Sequence, residues 1–148
     1  DRYTIDEVET GVIPMSNYPF HKHNTRRITK IGTGGGWVKP SSGYSFKNSD
    51  RFSKRIIENI KKGVLHSAGI ALGRFRKYDS LFLDVLTNRN DLGASMFTAM
   101  YTQNSPQRII KFLDEETTLL EDLTIMRAFD QSLFMRTLLR QLKRSILS

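Results

Sequence analysis

The chain has 148 residues and a formal net charge of +8, with 39% hydrophobic and 26% charged residues. This composition is typical of a globular protein with one modest core and excludes an intrinsically disordered chain. The absence of cysteine excludes disulfides and thiolate metal sites, and it suits a reducing, intracellular setting. No apolar run reaches the roughly 18 residues of a membrane-spanning helix. The positive charge favours an anionic partner, either nucleic acid or an anionic membrane surface.

The first part of the chain predicts short strands. Residues 1–9 alternate charged and apolar side chains, and residues 26–31 alternate in the same manner. Between them, residues 12–15 read V-I-P-M. The proline predicts an edge strand or a chain crossing beside a pocket, and a packed hydrophobic linker is the alternative of equal weight.

Residues 16–25 predict a loop that contains His21 and His23. Two histidines at this spacing can share a metal ion only with further ligands, and the sequence offers no third ligand nearby. We therefore reject a metal site here.

A glycine cluster follows the second predicted strand. Gly32, Gly34, Gly35 and Gly36 lack side chains, so the backbone can approach a flat, polar ligand closely. The spacing departs from the G-x-G-x-x-G fingerprint of dinucleotide-binding proteins, and a loop without a ligand is the commoner meaning of such a cluster. The ordered sequel K-P-S-S-G-Y at residues 39–44, which leads into a predicted helix, favours a cofactor held by main-chain groups.

The rest of the chain predicts helices. Residues 46–63 form the first, and from Arg74 onward the pattern is helical throughout. Ser105 and Pro106 predict a helix start, and Thr118 with Glu121 predicts a capping box. One stripe of methionine and aromatic side chains comprises Met96, Phe97, Met100 and Tyr101. Such a stripe usually belongs to the hydrophobic core, and the second interpretation is that it lines a route for a long hydrocarbon.

The last predicted helix begins at Asp130 and is amphipathic. Its apolar positions are Met135, Leu138, Leu139, Leu142 and Ile146, and its basic positions are Arg136, Arg140, Lys143 and Arg144. Such a helix rests on an anionic membrane surface, or it packs on its own domain with the basic face in solvent. The sequence leaves both alternatives open.

Residues 31–44, I-G-T-G-G-G-W-V-K-P-S-S-G-Y, together with the preceding V-I-P-M, resemble the second flavin-contacting segment of the lycopene cyclase family. These FAD-containing enzymes convert linear lycopene to cyclic β-carotene. The resemblance is strong over residues 9–62 and looser over the helical remainder. Related flavoprotein hydroxylases carry an acidic residue where Thr33 stands, so the hydroxylase alternative loses weight.

The resemblance implies a fragment of an α/β flavoprotein of the FAD/NAD(P)-binding, Rossmann-like class. Residues 1–63 would be the carboxyl-terminal part of the FAD-binding domain, and residues 64–148 a helical region that faces substrate or membrane. The chain begins without methionine and lacks a strand-glycine-helix unit for the adenine half of FAD. We therefore expect it to be the carboxyl-terminal part of a longer enzyme, inactive alone. The implied flavin contacts are Gly32, Thr33, Gly34, Gly35, Gly36, Pro40, Ser42, Gly43 and Tyr44.

The resemblance also implies a mechanism. Protonation of one end of lycopene gives a carbocation that closes the ring, and a reduced, anionic FAD, reduced by NAD(P)H, stabilises that charge without net redox change. Residues 112–119, F-L-D-E-E-T-T-L, are similar to the family's acidic F-L-E-E-T-S-L signature, but they follow the glycine cluster instead of preceding V-I-P-M. We read Asp114, Glu115 and Glu116 as a helix end and connector, and expect the catalytic acid upstream of Asp1.

The implied partners are lycopene and a membrane surface, and the implied setting is a cytoplasmic enzyme attached peripherally to a membrane, without nucleic acid. Two alternatives stay open. One is another FAD-dependent enzyme, a monooxygenase or a polyprenyl reductase. The other is a basic helical module that binds nucleic acid or a membrane, which explains the charge but leaves the glycine-proline-glycine segment without a purpose.

Overall fold

The computed structural model describes residues 3–12, 15–70 and 73–147, with side chains up to residue 144. Its six α-helices in chain order are α1 (Phe46–Lys61), α2 (Phe75–Asn88), α3 (Gly93–Gln103), α4 (Pro106–Leu113), α5 (Leu119–Met126) and α6 (Gln131–Leu147). Short 3-10 turns occur at Phe20–His23, Gly32–Gly35 and Asn90–Leu92. The described part of the chain is therefore mainly helical, as predicted for its carboxyl-terminal region.

The predicted strands are wrong wherever they fall on described residues. Residues 3–12 and 26–31 carry no strand, and the described ranges contain no other strand either. Alternating side chains build a strand only where a neighbouring strand satisfies the backbone N–H and C=O groups. The α/β class is thus not seen in the described part of the chain. The predicted edge strand at V-I-P-M includes Ile13 and Pro14, which lie outside the described residues.

Local chemistry sets the ends of several helices as predicted. Gly63 adopts a φ of 66° just after α1, a left-handed conformation that glycine adopts without strain. Ser105 accepts a hydrogen bond from the Arg108 amide at the start of α4. Thr118 and Glu121 form both bonds of a capping box at the start of α5.

The core lies among helices α2 to α6. One cluster contains Met100, Ile109, Leu113 and Ile125, and a second contains Phe82, Val85 and Met96. Phe97 and Phe129 pack against both clusters and join them. The core interpretation of the methionine and aromatic stripe is therefore confirmed for its first three members, whereas Tyr101 is exposed.

Helix α6 packs on α2 through a face that the sequence did not indicate. Leu133 and Phe134 contact the second core cluster, Thr137 is buried, and Arg140 bonds to α2 through Asp84 and Asn88. Helix α6 therefore packs on its own domain with Arg136 and Lys143 in solvent, as one alternative predicted. The predicted apolar positions do not make that contact, because Met135, Leu138, Leu139 and Leu142 are exposed. The side chain of Ile146 lies outside those described. None of the described helices is long and apolar enough to cross a membrane.

Candidate functional site

The predicted glycine loop is a tight 3-10 turn. The Gly35 amide donates to the Ile31 carbonyl at 2.9 Å, and the Trp37 amide donates to the Gly32 carbonyl at 3.0 Å. Gly32 and Gly36 have φ values of 57° and 73°, which glycine tolerates far better than other residues. Hydrogen bonds within the turn therefore fix its backbone.

The glycines of this turn are required for different reasons. A Cβ atom on Gly35 would lie 2.4 Å from the carbonyl oxygen of Lys30, so close backbone packing excludes a side chain there. Gly34 has an ordinary φ, and a Cβ atom on it would meet nothing within 4 Å among the described residues. Neither its conformation nor packing by the described residues explains a glycine at position 34.

The segment after the turn is built around Lys39, whose residue surface is only 2% exposed. The Lys39 amide donates to the Tyr44 carbonyl at 2.7 Å, and the Gly43 amide donates back to the Lys39 carbonyl at 2.9 Å. Gly43 has a φ of 73°. These bonds close residues 39–44 into one turn and direct the lysine side chain inward.

The Lys39 ammonium group lies in a buried, charged cluster. Its Nζ is 3.2 Å from Asp79 Oδ2 on α2 and 3.6 Å from Glu115 Oε1. The same atom lies 5.3 Å and 5.5 Å from the ring centroids of Phe75 and Phe112, within range of cation–π attraction. We call Lys39, Asp79 and Glu115 the Lys39 cluster.

All three acids of the α4–α5 connector contact the segment that begins at Lys39. Tyr44 Oη donates to Asp114 at 2.6 Å, Glu115 also pairs with Arg51 at 3.1 Å, and Glu116 pairs with Lys47 at 3.5 Å. The prediction that these acids form a helix end and connector is confirmed, because α4 ends at Leu113 and α5 begins at Leu119. Their contacts with the Lys39 turn and with α1 were not predicted.

Burial raises the pKa of Asp79 above its ordinary value, and the nearby carboxylate of Glu115 adds to the increase. The Lys39 ammonium and the Ser41 hydroxyl, which donates to Asp79, both oppose this shift. Tyr44 also has a raised pKa, mainly because its hydroxyl donates to the Asp114 carboxylate. The polar groups of this region are therefore partnered with one another.

A small aromatic cavity of about 60 Å³ lies beside the cluster. Its walls include Ser41, Ser42 and Asp79, and its apolar lining includes Phe82, Phe97, Phe112, Phe129 and Phe134. Pockets for drug-sized ligands measure roughly 300–1,000 Å³, so this cavity admits no more than a small apolar group.

A model of the family described as "Lycopene cyclase protein" matches residues 2–142. The chain belongs to the lycopene cyclase family. The match covers the glycine turn, the Lys39 cluster and five complete helices, so the helical remainder belongs to the same family unit as the glycine segment. Neither the curated proteins nor the solved structures contain a significant match to the chain. Membership of this family indicates a lycopene cyclase-like function in carotenoid cyclisation.

The predicted flavin contacts of this lycopene cyclase family chain form two groups. Thr33 and Gly34 are exposed on the glycine turn, and Gly32 and Gly36 are half-buried, whereas Gly35 is buried. In the second turn, Ser42 and Gly43 are exposed, Pro40 is half-buried, and Tyr44 packs against the first core cluster. Their contact with a flavin stays a prediction, as does the domain boundary after residue 63.

Sequence reasoning missed Lys39 and Asp79. Lys39 was considered only as the residue before a proline, and Asp79 lay within an apolar helix pattern without a marked role. A single signal was present: an acidic residue on the apolar face of an amphipathic helix is costly to bury without a partner. The partner lies 40 residues earlier in the chain, and spacing alone does not identify it.

Proposed function

We propose that this protein converts lycopene to β-carotene with FAD in its reduced form and NAD(P)H as the reductant, without net redox change. The observation that carries the proposal is the family match over residues 2–142. We further propose a cytoplasmic enzyme that is held peripherally at a membrane, where an apolar polyene dissolves. The order of V-I-P-M, the glycine turn and K-P-S-S-G-Y supports a cyclase that uses a flavin.

The residues of the glycine turn fit a flavin. Gly34 is exposed, and its contacts with the described residues do not require a glycine, so close approach of a flat ring explains it best. The N-terminus of α1 adds a second favourable feature, because Ser45 makes no side-chain cap and the first amides of the helix can face a polar ligand edge. Thr33 and Gly34 would hold the ring through main-chain contacts.

When bound, a reduced flavin would supply negative charge beside the cation that forms on the substrate. The residues of this chain would contribute orientation and exclusion of water. The bonds within the two turns fix the backbone against which the ring would lie, and the aromatic side chains that line the cavity beside Ser41 would limit the access of water.

The acids of the α4–α5 connector are poor candidates for the proton donor. Asp114 accepts from Tyr44, and Glu115 lies between Lys39 and Arg51. Carboxylates engaged in this way stabilise the fold. We therefore keep the proposal that another part of the enzyme supplies the catalytic acid.

The proposal is tested with Gly34→Ala in the protein expressed from its complete coding sequence. The new methyl group meets no described atom of this chain, so we expect unchanged thermal stability but roughly tenfold weaker flavin binding, measured by flavin absorption and fluorescence. Gly93→Ala at the start of α3 is the control and retains full flavin binding. A colourless wild-type protein, or a Gly34→Ala variant that binds flavin normally, overturns the flavin contact.

Product analysis tests the reaction class separately. Lycopene supplied under reducing conditions should yield a cyclic product of unchanged molecular mass. A product with added oxygen would indicate a monooxygenase, and a saturated product would indicate a polyprenyl reductase. A colourless protein that binds nucleic acid would instead support the basic helical module.

A further inference from the structure

Helix α6 has two opposite faces, and only one is covered. The inner face carries Leu133, Phe134 and Thr137, and it packs on α2 with Arg140 bonded to Asp84. These contacts of the inner face hold α6 in the fold. The packing that joins α6 to the core therefore uses none of its four exposed apolar residues.

The outer face forms a continuous apolar stripe. Met135, Leu138, Leu139 and Leu142 recur at helical spacing, so they lie on one side of α6. Met135 and Leu139 are 57% and 59% exposed, and Leu142 is 52% exposed. Contiguous exposed apolar surface of this kind usually marks an interaction site.

Basic residues flank this stripe without acidic ones. Arg136 and Lys143 are exposed beside the stripe, whereas Arg144 lies on the inner side near Asp84 of α2. The sequence of α6 contains neither aspartate nor glutamate. The whole chain carries a formal net charge of +8. A second copy of this helix would bring like charges together, and a nucleic acid backbone offers no apolar surface for four large side chains. An anionic bilayer provides both a hydrocarbon boundary and opposite charge.

We propose that the outer face of α6 docks on the surface of an anionic lipid bilayer. The stripe inserts into the boundary between headgroups and acyl chains, and Arg136 and Lys143 contact lipid phosphates. This inference specifies the surface for the peripheral attachment proposed above, but it requires neither flavin nor cyclase chemistry. Vesicle binding and cyclisation can therefore fail independently.

The experiment is sedimentation of the full protein with vesicles of phosphatidylcholine alone or with an equal part of phosphatidylglycerol. We expect binding to the mixed vesicles, little binding to phosphatidylcholine, and weaker binding as salt screens the charges. Met135→Ser combined with Leu139→Ser should lower the partition coefficient roughly tenfold or more, because two large apolar side chains no longer insert. Circular dichroism and thermal unfolding should remain as in the wild type, since both side chains are exposed.

A matched control removes apolar surface elsewhere. Ile57 and Ile60 on α1 are 52% and 55% exposed, so their joint replacement by serine deletes comparable surface and should leave vesicle binding unchanged. Arg136→Glu with Lys143→Glu provides a second test that spares the stripe, and it should abolish the preference for phosphatidylglycerol. Wild-type protein that binds neither the phosphatidylcholine vesicles nor the mixed vesicles overturns the proposal. So does a stripe variant that binds normally, or one whose sole defect is loss of a dimer.

Discussion

The glycine turn and the Lys39 turn are neighbours in sequence, yet the fold treats them differently. Lys39 is buried, and its turn is bonded to α2 and to the α4–α5 connector. Thr33 and Gly34 are exposed at the tip of the glycine turn. The family resemblance assigned one role, flavin contact, to both turns. The contacts show instead that the Lys39 turn is held by the fold, whereas the tip of the glycine turn is exposed.

Removal of the lysine from the Lys39 cluster should have the largest effect on stability. Lys39→Met keeps the length of the side chain but leaves Asp79 and Glu115 buried without their shared cation. Breaking a buried ion pair in this way costs about 3–5 kcal/mol. We expect that loss in the free energy of unfolding, measured by urea denaturation.

Lys47→Met is the matched control for that substitution. Its ammonium group lies 3.5 Å from Glu116, but both side chains are substantially exposed, so the loss should stay below about 1 kcal/mol. Equal losses in the free energy of unfolding for the two variants would show that burial does not make the Lys39 ion pair more important for stability than the Lys47 pair.

Adjacent glycines sharpen the comparison within the first turn. Gly35→Ala places a Cβ atom 2.4 Å from a backbone oxygen, and we expect a loss of about 1–3 kcal/mol as the turn shifts. Gly34→Ala meets open space and should leave stability unchanged or raise it by about 0.4–1 kcal/mol. Thermal unfolding of both variants measures the difference. Similar melting temperatures would contradict our distinction between a packed and an exposed glycine.

The same distinction explains which parts of this fold the sequence predicted. The capping box at Thr118 and the helix start at Ser105 depend on residues a few positions apart, so local chemistry determines them. The Lys39 cluster joins three segments that are distant in the sequence, so no local sequence pattern identifies which acidic residue pairs with which basic residue. Periodicity correctly grouped the apolar residues of α6, but it does not state whether the core covers that group. Alternation near the start of the chain predicted strands that need partners beyond their own pattern.

A single hydroxyl group tests the bond between the second turn and the connector. Tyr44→Phe removes the 2.6 Å bond to Asp114 but keeps the ring in the core. We expect a loss of about 1 kcal/mol in the free energy of unfolding, and chemical denaturation measures it. Tyr101→Phe alters an exposed tyrosine and serves as the control. If Tyr44→Phe leaves the free energy of unfolding unchanged, the bond to Asp114 does not stabilise the turn.

A half-buried ion pair tests whether full burial gives the Lys39 cluster its distinctive electrostatics. Glu121, like Asp79, pairs with a lysine, and Lys111 Nζ lies 2.7 Å from Glu121 Oε1. The pKa of Glu121 is nevertheless lowered to about 2, mainly through the bond from Lys111 and then through the Thr118 amide, whereas burial raises the pKa of Asp79.

This low pKa determines the sign of the pH dependence. Because the folded pKa of Glu121 lies below its ordinary value of 4.5, its contribution is fully present above that value and is lost as pH falls towards 2. Glu121→Gln lacks this titration, so its free energy of unfolding should fall less steeply over the same range. Denaturation at a series of acidic pH values measures the slope. Parallel wild-type and variant curves would mean that the capping carboxylate does not contribute to acid sensitivity, and that its pairing with Lys111 is too weak to shift the folding equilibrium.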